Sequence, residues 1–353
     1  MQTIGIFVKN LTSGGAEKQA VLLAKTVADV CKVHFIIFNG DKVHYKYLDS
    51  LKENTRVSVV MFKGGHFSRF LQLLRYIKAY KINVLFSYLT AANLYASVAG
   101  RITGANVYTG LRNVDLPRKK RVVDRFLTNH LAVGTIVNSH TGYENYVRHG
   151  FCKNKLFVIA NGFEIIKTYK EKAISSTVKI ITVGRFHLQK DYGTALNAFS
   201  RLHANNKNTE YLIVGYGSEE QMIRERIKEL KIEDVCKLLI NPDNIPELLD
   251  SADIYLSTSL IEGTSNSIME AMNAALPVVA TNVGDNSYLV ENGRNGYVLP
   301  VKDVEGIVEK LMDLTENAVL RISMGRESQN ILRNKYSLKV FRESYLNLIN
   351  NLV

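Results

Sequence analysis

The chain is poor in cysteine and has neither a long apolar run nor a leader-like start. Cys31, Cys152 and Cys236 are odd in number, far apart and in no metal-ligand spacing. That excludes a disulfide framework and reads as free thiols of a reducing cytosol. No stretch of ~18 apolar residues occurs, so a membrane-spanning helix is not expected. Ile4 to Val8 is too short for the apolar core of a signal peptide, and Lys9 and Asn10 end it. Two phosphate-binding fingerprints are missing as well, Gly-x-Gly-x-x-Gly and the Gly-Lys-Ser/Thr of the P-loop.

What is present is globular. The 353 residues imply about two domains of ~150 residues each. Hydrophobic residues make up 46% and charged residues 22%, which excludes a disordered chain, a coiled coil and a collagen-like repeat. The net charge is +12, unevenly spread. Residues 1–163 hold 23 Lys+Arg and 8 Asp+Glu, a balance of +15; residues 164–353 hold 22 and 25, a balance of −3. Such asymmetry points to an anionic partner for the first half: nucleic acid, an anionic membrane surface or a phosphorylated substrate. A solvated basic surface is the alternative.

Strands alternate with helices throughout. Ile4–Val8, a turn at Thr12 to Gly15 and a helical spacing of Ala20, Leu23, Ala24 and Val27 open the chain. Further strands are read at 33–38, 57–60, 84–88, 106–109, 135–138 and 156–159, with a helix over 67–80. The polar stretch Lys167 to Thr177 reads as a linker, after which the pattern restarts with Val178 to Val183. Two such arrays imply two Rossmann-like α/β domains, 1–163 and 164–337, with a cleft between them. Ligands of open parallel sheets bind outside the carboxyl ends of the strands.

Three segments at such ends carry chemistry. Gly14 and Gly15 lie between a strand and a helix, where backbone can approach a phosphate; a plain turn is the alternative. Gly184, Arg185 and Lys190 follow a strand, and two cations there can clamp a diphosphate; loop charge in water is the alternative. Most specific is the stretch from Tyr255 to Ala280. Glu262 is read as ending a strand, Gly263 as a turn, and Asn266 to Ala275 as a helix with Ile268, Ala271, Met272 and Ala275 on its apolar side. Thr264, Ser265 and Asn266 offer N–H groups at the helix start, and Glu270 lies about one turn in. Two carboxylates can hold sugar hydroxyls while cations and amides hold phosphates. A capping Glu262 with an ordinary surface Glu270 is the alternative.

Glu262 and Glu270, in the setting Glu262-Gly263, Asn266, Met269-Glu270-Ala271-Met272 and Pro277-Val278-Val279-Ala280, resemble the retaining family-4 glycosyltransferases of GT-B fold. Gly14-Gly15-Ala16-Glu17, Val183-Gly184-Arg185 with Lys190-Asp191, Val214 to Gly217 and Asn292 to Gly296 extend the resemblance over nearly the whole chain. It implies an α/β GT-B architecture, two Rossmann-like domains facing across a cleft, the first for the acceptor and the second for the nucleotide-sugar donor. A C-terminal helix at about 338–353 would return to the first. It implies catalytic roles for Arg185 and Lys190 at the diphosphate and for Glu262 at the donor sugar. Glu270 would bind the ribose, and Gly14, Gly15, Gly184 and Gly263 to Asn266 would line the donor. No metal and no other cofactor are implied, and no Asp-x-Asp occurs.

One departure bears on the sugar. Where many members carry a histidine, this chain has Arg112 and Asn113, which are candidates for contact with the acceptor or donor sugar. The Phe-Pro that often follows Glu-Gly is replaced by Thr264-Ser265. The basic residues Arg118, Lys119, Lys120 and Arg121, with Arg69, Arg75, Lys78 and Lys81 near the 67–80 helix, form a candidate patch for anionic inner-leaflet lipid or for a polyprenyl-phosphate-linked or glycan acceptor. That helix's Phe67, Phe70, Leu71, Leu74 and Ile77 either face lipid or face the domain core. The expected location is the cytoplasm, at the inner face of the membrane. A sugar-nucleotide epimerase and a nucleic-acid-binding protein are the competing readings; no nucleic-acid-binding motif supports the latter.

Overall fold

The computed structural model describes residues 2–164, 166–170 and 172–351. It divides into two compact units, residues 1–164 with 338–353, and residues 165–337. The first unit contains β1 (Thr3–Val8), α1 (Gly15–Val27), β2 (Lys32–Ile37), α2 (Tyr45–Lys52), β3 (Val57–Met61), α3 (His66–Ala79), β4 (Val84–Tyr88), α4 (Thr90–Thr103), β5 (Asn106–Leu111), α5 (Arg118–Phe126), β6 (Gly134–Val137), α6 (His140–Arg148) and β7 (Leu156–Val158). The second contains β8 (Val178–Val183), α7 (Tyr192–Asn205), β9 (Thr209–Gly215), α8 (Glu220–Glu229), β10 (Cys236–Ile240), α9 (Ile245–Ser251), β11 (Ile254–Ser257), α10 (Asn266–Asn273), β12 (Val278–Thr281), α11 (Asn286–Leu289), β13 (Gly296–Leu299), α12 (Val304–Glu316) and α13 (Ala318–Tyr336); α14 (Leu338–Asn350) returns to the first.

Both sheets are parallel. Their orders are β3-β2-β1-β4-β5-β6-β7 and β10-β9-β8-β11-β12-β13. Helices cover both faces, which is why β1 and β4 are buried along nearly all their length and read as mostly apolar runs rather than alternating ones. In each sheet the direction of winding reverses beside the first strand, between β1 and β4 and between β8 and β11. Loops leaving the carboxyl ends there diverge and open a crevice for ligand.

α14 completes the first unit's core. Phe341, Tyr345, Leu348 and Ile349 are buried with α1, β1 and β4 residues. Tyr345 meets Phe86 edge to face at 5.3 Å. Phe341 leaves no room for a side chain at 162: a Cβ on Gly162 would lie 2.9 Å from the Phe341 ring.

The structure decides the orientation of α3. Leu73 and Ile77 are buried, and Phe70 and Leu74 pack on the same cluster. Arg69 pairs with Asp41 at 2.9 Å. These apolar residues face the core, and only Phe67, 75% exposed, stands out in water.

Residues 166–177 correct the linker reading in part. The described residues have no helix or strand, yet they are strapped to the second unit. The Lys167 amide donates to Asn273 Oδ1 (2.8 Å), and its ammonium pairs with Asp250 (2.5 Å). Lys172 donates to the carbonyls of Leu249 and Ala252, which close α9. In the sequence a strap of lysines looks like a solvated linker, because the carbonyls that hold it are invisible there.

Two outcomes follow from this packing. Phe341→Ala removes a buried ring and should cost about 3–5 kcal/mol, read as a lower urea midpoint for the first unit's unfolding. Burial pulls the Lys172 ammonium down to about 8 from 10.5. Between those values the unfolded chain binds more protons, so stability contributed by this residue rises with pH from about 8 to 10.5. Lys172→Met should remove that slope, seen as the difference between wild-type and variant melting temperatures across the window.

Candidate functional site

The second unit's candidate site is built on the two loops that flank its crevice. β8 ends at Val183. Gly184 follows, its carbonyl held by the Tyr192 hydroxyl (3.1 Å), and Phe186, fully buried, roots the loop. Leu188 to Lys190 make one tight 3-10 turn, and Asp191 takes a left-handed conformation (φ 48°) to cap α7. Its carboxylate accepts from the Thr194 hydroxyl at 2.7 Å.

The neighbouring loop is stitched to this one. Thr258 Oγ1 donates toward the carbonyls of Lys190 (3.0 Å) and Asp191 (2.9 Å). The Leu260 amide donates to Gln189 O and Gln189 Nε2 to Ile261 O, both at 2.8 Å. The result is an ion pair: Lys190 Nζ lies 2.5 Å from Glu262 Oε1, and Ser259 Oγ donates to the same oxygen at 2.8 Å. The side chains are 19% and 12% exposed. Sheltered from water, the two charges attract more strongly than a surface pair.

The floor is equally constrained. Gly284 has φ +54°, and a Cβ there would lie 2.3 Å from Glu262 O and 2.6 Å from Gly263 O. The Asp285 amide donates to Gly263 O (3.0 Å). Ser265 precedes α10 and is buried, while Asn266 starts the helix at the surface. Tyr255, buried below, donates to Val183 O (3.0 Å); burial, with the nearby Glu270 charge as a lesser cause, pushes its phenol well up. Thus Glu270 sits near Tyr255.

The structure therefore joins Lys190 to Glu262 and places Gly184, Gly263, Thr264, Ser265 and Asn266 on the same two loops. Arg185 shares the first loop but is exposed, with no ion pair among the described residues. One reading is corrected: β11 ends at Ser257, five residues before Glu262. The hydroxyls of Thr258 and Ser259 bond loop groups instead of extending the strand. Thr258 and Ser259 were not singled out by sequence, and Asp191 was read only as part of the Lys190-Asp191 motif. The Ser259-x-x-Glu262 spacing was a usable signal, since a hydroxyl can reach a carboxylate three residues on.

The remaining candidates lie on the first unit. A Cβ on Gly14 would meet Glu17 Oε2 at 2.4 Å, whereas Gly15, opening α1, faces open space. Arg112 lies 4.9 Å over the Tyr88 ring and donates to the Tyr345 hydroxyl (3.0 Å) and Asn161 Oδ1 (3.4 Å). Asn113 is exposed, its carbonyl accepting from Tyr146 OH (2.7 Å). Arg118, Lys119 and Lys120 are exposed on α5, and Arg121 pairs with Asp115 (2.8 Å).

A cavity of ≈760 Å³ in the second unit lies elsewhere, lined by Lys172, Thr177, Lys179, Ala252 and Asp253 at the amino ends of β8 and β11. It is roofed by the strap. It too is lined by charged residues, Lys167, Lys170, Lys172 and Lys179 with Asp250 and Asp253.

Known proteins resemble this chain in sequence and in fold. Residues 163–331 match the family model described as glycosyl transferases group 1. A Haemophilus influenzae protein named an uncharacterized glycosyltransferase is 24% identical over 99% of this chain and 100% of its own. A Campylobacter jejuni relative, N-acetylgalactosamine-N,N'-diacetylbacillosaminyl-diphospho-undecaprenol 4-alpha-N-acetylgalactosaminyltransferase, is 22% identical over 98% of both chains. The crystal structure of Anabaena Alr3699/HepE in complex with UDP superposes with a TM-score of 0.84 at 17% identity, covering 99% of this chain and 100% of that one. The shared fold is GT-B.

Gly284→Ala tests the floor. The left-handed backbone and the two carbonyls force a shift of the Glu262 loop. The expected loss is about 2–3 kcal/mol, measured by denaturation, together with weaker nucleotide-sugar binding by calorimetry.

Proposed function

We propose that the chain is a retaining glycosyltransferase. It moves a hexose or N-acetylhexosamine from a UDP-linked sugar to a glycan or polyprenyl-phosphate-linked saccharide, in surface polysaccharide or glycoconjugate synthesis. The observation that carries the reading is the Lys190–Glu262 pair at the second unit's crevice, with Arg185 beside it. Names of relatives supply the rest of the support: a lipid-diphosphate acceptor and an alpha-linked product in the Campylobacter enzyme, and UDP in the Anabaena neighbour.

An ammonium has three donors. Lys190 can keep Glu262 while giving a second proton to a donor phosphate. Arg185 adds a bidentate fork to the same diphosphate. Charge that develops on the leaving phosphate is then met by cations fixed in advance, an electrostatic contribution that is often the largest in catalysis. Glu262 accepts from donor-sugar hydroxyls and Glu270 from the ribose. The bond between the anomeric carbon and the phosphate oxygen breaks, and the acceptor oxygen bonds that carbon on the same face. The acceptor proton passes to the departing phosphate, so no separate base is needed. These cations do the neutralising without a metal.

The α5 residues Arg118, Lys119 and Lys120 would bring the first unit to anionic lipid at the inner leaflet, without insertion of a span. Among the described residues no helix is long and apolar enough to cross a membrane.

Sugar nucleotides are screened for thermal stabilisation and for hydrolysis. A UDP-sugar should stabilise the wild type, and nucleotide release should accelerate with a second sugar or lipid-linked acceptor. Acceptor-independent interconversion of the donor would instead show an epimerase. Lys190→Ala should lower kcat roughly 10²–10³-fold, Arg185→Ala/Lys190→Ala further, and Glu270→Ala should raise the donor KM. Wild-type turnover by the double variant refutes the clamp.

A further inference from the structure

A second built crevice lies wholly within the first unit. Its cavity, ≈510 Å³, sits where the winding reverses between β1 and β4. Lys9, Arg112, Lys119 and Lys120 line it against a single carboxylate, Glu17, which already accepts from the Thr12 hydroxyl at 3.1 Å.

Arg112 is the unusual member. Its guanidinium is sheltered, and every partner it has is neutral: the Tyr88 ring, Tyr345 OH and Asn161 Oδ1. Its Nε is buried with no hydrogen-bond partner among the described residues. A sheltered cation without a counter-charge is costly, and an anion in the cavity would offset that cost.

The walls are held rigid. Asp124 of α5, 1% exposed, accepts from Thr90 Oγ1 (2.6 Å) and Asn93 Nδ2 (2.9 Å) of α4. Asn93 also bonds both backbone groups of Gly110, two residues before Arg112. Leu89, between β4 and α4, is held at φ +72°, a conformation that strains a non-glycine residue, with its amide on Gly110 O (3.0 Å). Strain of this kind persists where surroundings over-determine it, often at ligand sites. Lys120 feels the buried Asp124 carboxylate.

One wall is apolar and open: Leu89, Leu94 and Val123 are exposed and line the same cavity. Cations on one side and exposed hydrocarbon on the other fit an amphiphile with a phosphorylated head.

We propose that this cavity seats the phosphate or diphosphate of a prenyl-linked acceptor. Arg112, Lys119 and Lys120 hold the phosphate, and the hydrocarbon chain lies on Leu89, Leu94 and Val123. Arg112 is thereby assigned to the acceptor and not to the donor sugar. The word acceptor rests on the transferase reading above; the anion site does not.

The full chain is titrated with farnesyl phosphate, farnesol, inorganic phosphate and phosphatidylglycerol vesicles, with UDP stabilisation measured in parallel. The wild type should bind farnesyl phosphate saturably and at least tenfold more tightly than farnesol or inorganic phosphate. Arg112→Gln should weaken that binding about tenfold or more. Lys119→Ser/Lys120→Ser, on the surface, should weaken it similarly and flatten its salt dependence, with UDP stabilisation unchanged. If Arg112→Gln fails to fold, shown by loss of the first unit's cooperative unfolding transition, the double lysine variant decides. Equal farnesyl phosphate binding by that variant overturns the proposal. So does binding to vesicles alone, or an Arg112→Gln variant that changes which UDP-sugar is hydrolysed while farnesyl phosphate binding stays intact. UDP stabilisation with no farnesyl phosphate binding removes this inference and leaves the transferase reading. The reverse pattern removes the transferase reading and keeps the anion site.

Discussion

The second unit's site depends on the contact between the loops after β8 and β11. Parallel strands place these loops side by side but do not by themselves fix their conformations. That is done by Thr258 on the carbonyls of Lys190 and Asp191, by the reciprocal bonds between Gln189 and the 260–261 segment, and by the Lys190–Glu262 pair that closes them. Thr258 is buried and the Lys190 and Glu262 side chains are sheltered, so removing one of these leaves a polar group with neither partner nor water. The same arrangement that makes the loops stiff presents a cation at a fixed place before any ligand arrives. Preorganisation of that kind means little reorganisation when charge develops nearby.

The first unit solves a related problem differently. Its crevice is walled by a continuous buried polar network from Ser87 and Asn93 through Gly110 to Asp124, while its cation, Arg112, is balanced by neutral groups, the Tyr88 ring, Tyr345 OH and Asn161 Oδ1. Tyr345 comes from α14, more than 230 residues away in sequence. The final helix is thus core and crevice support at once: Phe341 and Leu348 fill the layer over α1, and Tyr345 reaches through to Arg112.

The fold was legible in sequence because both sheets are buried on both faces. Val84 to Tyr88, interrupted by Ser87, and Val178 to Val183, interrupted by Lys179 and Thr182, are still mostly apolar, and the alternation with helices identified a parallel sheet before any contact was known. α5 was harder: Arg118 to Arg125 is so charged that its helical period does not show, and it is held by the single buried Asp124. The motif residues around Glu262 and Lys190 were found at sequence level, but their direct pairing was not, because a separation of 72 residues carries no spacing signal. The hydroxyls of Thr258 and Ser259 escaped notice for a similar reason. Ser and Thr are frequent in loops, and only their partners distinguish a structural hydroxyl from a solvated one.

The charge asymmetry takes on a sharper meaning once the units are known. Counting α14 with the first unit leaves its balance at +15, from 25 Lys+Arg and 10 Asp+Glu, and the second at −3, from 20 and 23. On the proposed reading the second unit needs no broad positive field, since the exposed Arg185 and the sheltered Lys190 would act at contact range, where a few ångströms make each charge effective. The first unit's excess is spread over exposed residues such as Arg118, Lys119 and Lys120. At physiological salt their influence extends only about 8 Å into water. A field of that reach concentrates an anionic partner at the surface but does not orient it. Orientation requires a sheltered charge with fixed neighbours, and in this unit that description fits Arg112.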